Sequence, residues 1–177
     1  MTSSDVTALR PGVVAETAAR VTHSYQGSAQ RPARIALVCA KFNGAITERL
    51  LDGALQALEG AAGGAEVHVA WVPGAFELPL VAARFATSDR ADAVVALGAV
   101  IRGDTAHFDF VAGQCASGLA RVALDTGVPV VFGVLTTENV EQALERSGPG
   151  PDNKGHEAAV TAVEMVDLLT QLPARPK

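Results

Sequence analysis

Cysteine is nearly missing from this chain. Cys39 and Cys115 are the only two in 177 residues, too few for a disulfide framework. They and His23, His68 and His156 show no metal-ligand spacing, so no metal site is expected. Lysine is scarce too, with only Lys41, Lys154 and Lys177, and 14 cationic residues face 19 acidic ones. The resulting charge of -5 and pI near 5.3 argue against a nucleic-acid surface and against attraction to an anionic membrane. No apolar run approaches the roughly 20 residues of a membrane span. An apolar signal-peptide region is absent, and Asp5 and Glu16 are out of place in a transit peptide. A reducing cytoplasm is the expected compartment. Charge of either sign is thin, at 19% against 49% hydrophobic residues, which is more apolar than a compact monomer of this size readily hides. A homo-oligomer would bury the surplus.

What is present is regular from Ile35 onward. Four apolar runs, Ile35 to Ala40, Val67 to Val72, Ala93 to Val100 and Val128 to Leu135, lack the in-out alternation of half-exposed strands, as expected for a parallel sheet covered on both faces. Between them Leu50, Leu51, Ala54, Leu55 and Leu58 recur at helical spacing, as do Val111, Cys115, Gly118, Leu119 and Val122. A shorter helix is expected from Pro79 to about Ala86, another from Thr137 and Glu138 to Arg146, and a last one from His156 to about Leu169. The pattern predicts a three-layer α/β/α sandwich with a four-stranded parallel sheet and right-handed crossovers. One domain spans residues 34–172. Residues 1–33 read as an N-terminal extension, an added strand or a mobile arm outside the fold, although Pro11 to Val21 has the spacing of a short amphipathic helix. Residues 173–177 are a tail.

In such a sheet the ligand crevice lies at the carboxyl ends of the strands. The third exit, GAVIRGDTAHFDF from Gly98 to Phe110, carries the most chemistry: the cation Arg102, the flexible Gly103, then Asp104, Thr105 and His107. Its spacing nearly spells a nucleotide-binding P-loop, but Asp104 stands where that loop needs lysine and would repel a nucleotide's phosphates. Backbone N–H groups around a glycine still suit one phosphate monoester. His107 is the natural proton carrier beside it, with Asp109 as an orienting carboxylate. Arg102-Gly103-Asp104 also spells an adhesion tripeptide, which recurs by chance. The other exits place Phe42 and Phe76 where an aromatic plane can stack on a flat heterocycle or plug the core edge. Cys115 falls on the apolar stripe of its helix and Cys39 inside a strand, which suits core residues better than nucleophiles. Arg146 and Lys154 flank the Gly/Pro-rich turn Ser147 to Asn153 and gain a role only if that turn closes over an anion.

The segments LVCAKFNGAITERLLDGAL, WVPGAFELPLVA, VVALGAVIRGDTAHFDFV, TGVPVVFGVLTTENVEQALERSG and DNKGHEAA, in this order, make the chain from about Arg34 to Leu169 resemble the lumazine synthase family of riboflavin biosynthesis. The resemblance implies a flavodoxin-like fold. It also implies a cofactor-free condensation of 5-amino-6-(ribitylamino)uracil with 3,4-dihydroxy-2-butanone 4-phosphate, giving 6,7-dimethyl-8-ribityllumazine, phosphate and water. Carried onto this sequence, Phe42 would stack on the pyrimidine. Ala75, Phe76 and Glu77 would hold the uracil and ribityl chain together with Val100 and Ile101. Asp104, Thr105 and Arg146 would meet the phosphate, and His107 would shuttle protons. The resemblance further implies a site between subunits, with Phe132, Arg146 and Lys154 supplied by the neighbour. It implies pentamers or sixty-subunit shells, and riboflavin synthase as a partner.

Three features depart from the family's usual pattern: Ala112, Gly113 and Gln114 where many relatives carry Cys and Glu, Pro149 and Pro151 in the Ser147 to Asn153 turn, and the long N-terminal arm. Two alternatives share much of the sequence pattern. One is a catalytically silent relative kept for binding flavin or lumazine or for shell assembly. The other is a flavodoxin-like binding domain of unrelated function, which would not need Phe42, His107 and Arg146 together.

Overall fold

A computed structural model describes residues 12–28, 32–60 and 64–173. Residues 1–11 and 29–31 of the expected N-terminal extension and residues 174–177 of the tail lie outside the described residues. Strands β1 (Ala33–Ala40), β2 (Ala65–Val72), β3 (Ala93–Ile101) and β4 (Val130–Thr137) form one sheet, all parallel, in the order β2-β1-β3-β4. Among the described residues the helices are α1 (Val13–Ala18), α2 (Gly44–Glu59), α3 (Leu78–Ala86), α4 (His107–Thr126), α5 (Val140–Arg146) and α6 (Lys154–Gln171), with one 3-10 turn at Ala75–Glu77. None of these helices is long and apolar enough to cross a membrane.

Why these segments take these forms follows from their apolar content. β1 and β3 are nearly continuous in Ala, Val, Leu and Ile, and both are buried along almost their whole length because each has a strand on either side and helices on both faces. On one face α2 presents Ile46, Leu50, Ala54 and Leu58, one stripe at spacing four, to Leu37, Leu97 and the small residues Ala158, Ala159 and Ala162 of α6. On the other face α3 and α4 cover Val38, Val94 and Val134 with Leu78, Cys115 and Leu119. Burial of these side chains, at about 25 cal/mol per Å² of apolar surface, is the main source of cohesion.

The edge strands differ from the uniform burial expected of them. Val69 and Trp71 on β2 are 44% and 42% exposed, and Phe132 on β4 is 41% exposed. Their apolar composition predicts cover on both faces, but the sheet ends at them. Helix boundaries also shift. β4 begins two residues later than its apolar run, because Gly127 turns the chain through a left-handed conformation (φ 74°) before Val128 and Pro129. Thr137, expected to open a helix, is the last residue of β4. Asn139 caps α5 instead, its side chain accepting from the Gln142 amide at 2.9 Å. α6 begins at Lys154, two residues before His156, because Asn153 caps it: Oδ1 accepts from the amides of Gly155 (2.8 Å) and His156 (3.3 Å).

Asn153 is buried and fully engaged. Its Nδ2 donates to the carbonyls of Arg49 (3.0 Å) and Gly148 (2.8 Å), so one side chain joins α2, the turn before α6 and α6 itself. Gly53 and Gly155 make room for this junction. A Cβ on Gly53 would overlap the Asn153 side chain, and one on Gly155 would overlap the Leu50 carbonyl. The chain ahead of β1 also touches the fold. The amide and hydroxyl of Ser28 donate to Asp167 on α6, at 2.9 and 3.0 Å, and Gln171 Nε2 donates to the Gln26 carbonyl at 2.8 Å. α1 buries no residue.

Candidate active site

The four strand exits open on one rim of the sheet. After β1, the amides of Lys41 and Phe42 donate to the carbonyls of Val72 and Pro73 at 2.8 and 3.1 Å, fastening this loop to the β2 exit. Asn43 fastens it on the other side, its Nδ2 donating to the Ala99 carbonyl of β3 at 2.9 Å. Asn43 is the one non-glycine at positive φ (56°) among the described residues, a conformation asparagine tolerates better than other side chains. Phe42 is thereby held between two neighbouring exits and is 73% exposed. Phe76 stands on the 3-10 turn, 57% exposed, while Ala75 beside it is buried and Glu77 half-buried. At the end of β3, Val100 is buried and Ile101 half-buried. Gly103 to His107 are all exposed.

His107 is the first residue of the twenty-residue α4, earlier than the apolar stripe indicates, and its amide donates to Thr105 Oγ1 at 3.4 Å. The loop carrying Asp104 and Thr105 therefore runs into the positive end of a long helix dipole, an environment suited to an anion. Two expected roles change here. Asp109, read as orienting His107, instead receives the two terminal nitrogens of Arg102 at 3.1 and 3.3 Å. Arg102, read as the anion-binding cation, also reaches Glu138, with Nε 3.2 Å from Oε1 and 2.9 Å from Oε2, and its guanidinium carbon lies 4.0 Å over the Phe108 ring. Asp109 first, and then Glu138, raise the Arg102 pKa further above its ordinary value.

The other expected cations lie elsewhere. Along the open edge of β4 is a hollow of about 350 Å³ lined by Phe132, Thr136, Arg146, Lys154, Glu157 and Thr161, among others. Arg146, in the last turn of α5, donates from one terminal nitrogen to the Gln142 carbonyl at 3.0 Å. Lys154 Nζ lies 2.6 Å from Glu157 Oε1. None of the rim residues from Phe42 to His107 lines this hollow. Within one chain, then, the expected residues divide into an aromatic and imidazole set on the rim and a cationic set on the sheet edge.

Residues 32–170 match the family described as 6,7-dimethyl-8-ribityllumazine synthase. The chain is also similar to the 6,7-dimethyl-8-ribityllumazine synthase of Edwardsiella ictaluri (strain 93-146), 55% identical over 152 residues that cover 84% of this chain and 97% of the relative. It belongs to the lumazine synthase family. A second relative of the same name, from Yersinia pestis (strain Pestoides F), is 55% identical over 139 residues, 77% of this chain and 89% of its own length.

The family match spans all four strands, α2 to α5 and all of α6 but its last residue, so both residue sets lie inside the lumazine synthase domain. Three residues of these sets escape a reading of the sequence. Asn43 and Asn153 each precede a helix start that the apolar stripe places too late. Glu157 becomes an i,i+3 partner of Lys154 only once α6 is known to begin at Lys154.

Proposed function

We propose that this chain condenses 5-amino-6-(ribitylamino)uracil with 3,4-dihydroxy-2-butanone 4-phosphate to 6,7-dimethyl-8-ribityllumazine, phosphate and water, in a site that two subunits share. Membership of the lumazine synthase family supports the reaction. The division of the site residues supports the sharing. Among the described residues, the rim's His107 and exposed aromatic rings have beside them only the Arg102 guanidinium, which two carboxylates engage, while the β4 hollow is lined by Arg146 and Lys154 and by no imidazole. A neighbour that lays its β4 edge over this rim completes the chemistry and covers Phe42, Phe76 and Phe132. A closed ring of such contacts, a pentamer or a larger shell, uses every rim and every edge once. With no membrane-spanning helix among the described residues, a cytoplasmic site of action fits this reading, as does riboflavin synthase as the partner consuming the product.

Each group then has a defined task. Phe42 stacks on the pyrimidine, with Ala75, Phe76, Glu77, Val100 and Ile101 shaping the pocket for the uracil and its ribityl chain. Arg146 supplies a planar fork for the phosphate, which a guanidinium grips better than an ammonium. Lys154 adds charge, and Asp104 and Thr105 bring their backbone amides and the start of α4. Amine addition to the ketone expels water as the imine forms, phosphate is then eliminated, and the ribityl-bearing amine closes the ring onto the carbonyl that elimination unmasks, expelling a second water. His107 gives and takes the protons these steps move. Holding two reactive substrates in register supplies much of the acceleration.

Mixing both substrates and following the fluorescent lumazine tests the reaction. His107→Ala slows turnover in a graded way across pH, and Arg146→Ala mainly raises the KM for the phosphorylated butanone. Co-refolding the two variants tests the sharing, because about a quarter of the interfaces then pair an intact rim with an intact edge. Activity rising above the mean of the two parents supports the reading. Activity at that mean overturns the shared site, and a wild-type protein that consumes neither substrate overturns the reaction.

A further inference from the structure

We propose that Arg102 is a positioning residue that braces the His107 turn against the loop leading to Arg146, and is not a phosphate ligand. This rests on the proposed function only for its kinetic readout. Arg102 stands two residues before Asp104 at the β3 exit, where a cation would ordinarily be assigned to the substrate anion. Its surroundings say otherwise. Three of its N–H groups are directed at carboxylates, one to Glu138 and two to Asp109. Two carboxylates on one guanidinium leave the cluster with a net negative charge, which repels a phosphate dianion.

The same contacts reach the two elements whose geometry the site needs. Asp109 and Phe108 belong to the first turn of α4, which begins at His107, and the guanidinium stacks on the Phe108 ring at 4.0 Å. Glu138 lies in the loop after β4, and the next residue, Asn139, caps α5, whose last residue is Arg146. The Arg102 amide donates to the Thr137 carbonyl at 2.9 Å, so backbone and side chain both bind the β3 exit to the β4 exit. An isolated exposed ion pair has little effect on structure, but a forked, ring-stacked pair joined to a second carboxylate fixes direction as well as distance. Lysine offers no such fork, so Arg102→Lys can hold one carboxylate but not orient both.

The test compares Arg102→Ala, Arg102→Lys, Asp109→Asn and Glu138→Gln with wild type in the assembled protein, with circular dichroism and solution mass as controls. A small displacement of a reacting group lowers the rate strongly, so Arg102→Ala lowers kcat about tenfold while KM for the phosphorylated butanone stays within about twofold. Arg102→Lys and the two carboxylate variants fall between it and wild type. Independently of activity, amide hydrogen exchange in the peptide spanning 102–112 speeds up in Arg102→Ala and less so in Arg102→Lys. If Arg102→Ala fails to assemble, Arg102→Lys and Asp109→Asn carry the same comparison. A tenfold rise in KM at unchanged kcat makes Arg102 a phosphate ligand and overturns the proposal. So does wild-type kcat with wild-type exchange in Arg102→Ala. A wild-type enzyme without turnover sinks the proposed reaction and leaves the exchange measurement to decide the brace.

Discussion

Asn153→Ala offers the sharpest check on how α6 is held. The wild-type side chain is only 3% exposed and makes four hydrogen bonds, accepting from Gly155 and His156 and donating to the Arg49 and Gly148 carbonyls. Truncation removes the helix cap, worth about 1 kcal/mol. It also strands two carbonyls in a site nearly closed to water, at about 1 kcal/mol each, for a total near 3 kcal/mol. Ser at the same position restores the cap but reaches neither carbonyl, so Asn153→Ser recovers about 1 kcal/mol of this loss. The assay is urea unfolding at one fixed protein concentration, since assembly makes apparent stability depend on concentration. Fluorescence of Trp71, the only tryptophan in the chain, reports the transition. With m near 2 kcal/mol/M, Asn153→Ala lowers the midpoint by about 1.5 M. A shift under about 0.3 M, or no difference between the Ala and Ser variants, refutes the assignment of Asn153 as the joint between α2 and α6.

Two further outcomes follow from the shifted groups. The Asp92 carboxyl is held below its ordinary range by hydrogen bonds from the Arg34 side chain, including Nε at 3.1 Å, and from the Arg34 amide at 2.8 Å. A folded value below the unfolded one means stabilisation that is complete above the unfolded pKa, near 3.9, and lost as pH falls through the folded value. Asp92→Asn is therefore less stable than wild type at pH 7, by under about 1 kcal/mol for so exposed a pair, and the gap closes in acid. Parallel Tm-against-pH curves for the two proteins contradict this. Burial pushes the Cys39 thiol up to about 12 and the Cys115 thiol up to about 11. Native protein at pH 8 stays unlabelled by iodoacetamide, and both sites react in denaturant. Labelling of folded protein at a free thiol's rate counts against their burial.

Amino-acid order alone determined the four parallel strands, the alternation of strand and helix and the loops that hold the chemistry. Short apolar runs bounded by turn residues have few other ways to hide their side chains and backbone polar groups. The motifs from Phe42 to Lys154 also disclosed the family, since their chemistry is written in contiguous residues. Helix starts were less legible. A stripe shows where a helix is buried, whereas Asn139 and Asn153 mark where its first amides find acceptors, and caps need not be apolar.

Only the tertiary structure decided what each charge faces. Arg102 and Asp109 lie seven residues apart, yet nothing in that spacing indicates that they pair, or that Glu138 joins them from the next strand's exit. It also decided that β2 and β4 are the open edges, and that the β4 hollow lined by Arg146 does not include His107. The physical reason is range. Periodicity records what each segment must bury, whereas electrostatic pairing and strand order depend on which distant segments the fold brings together.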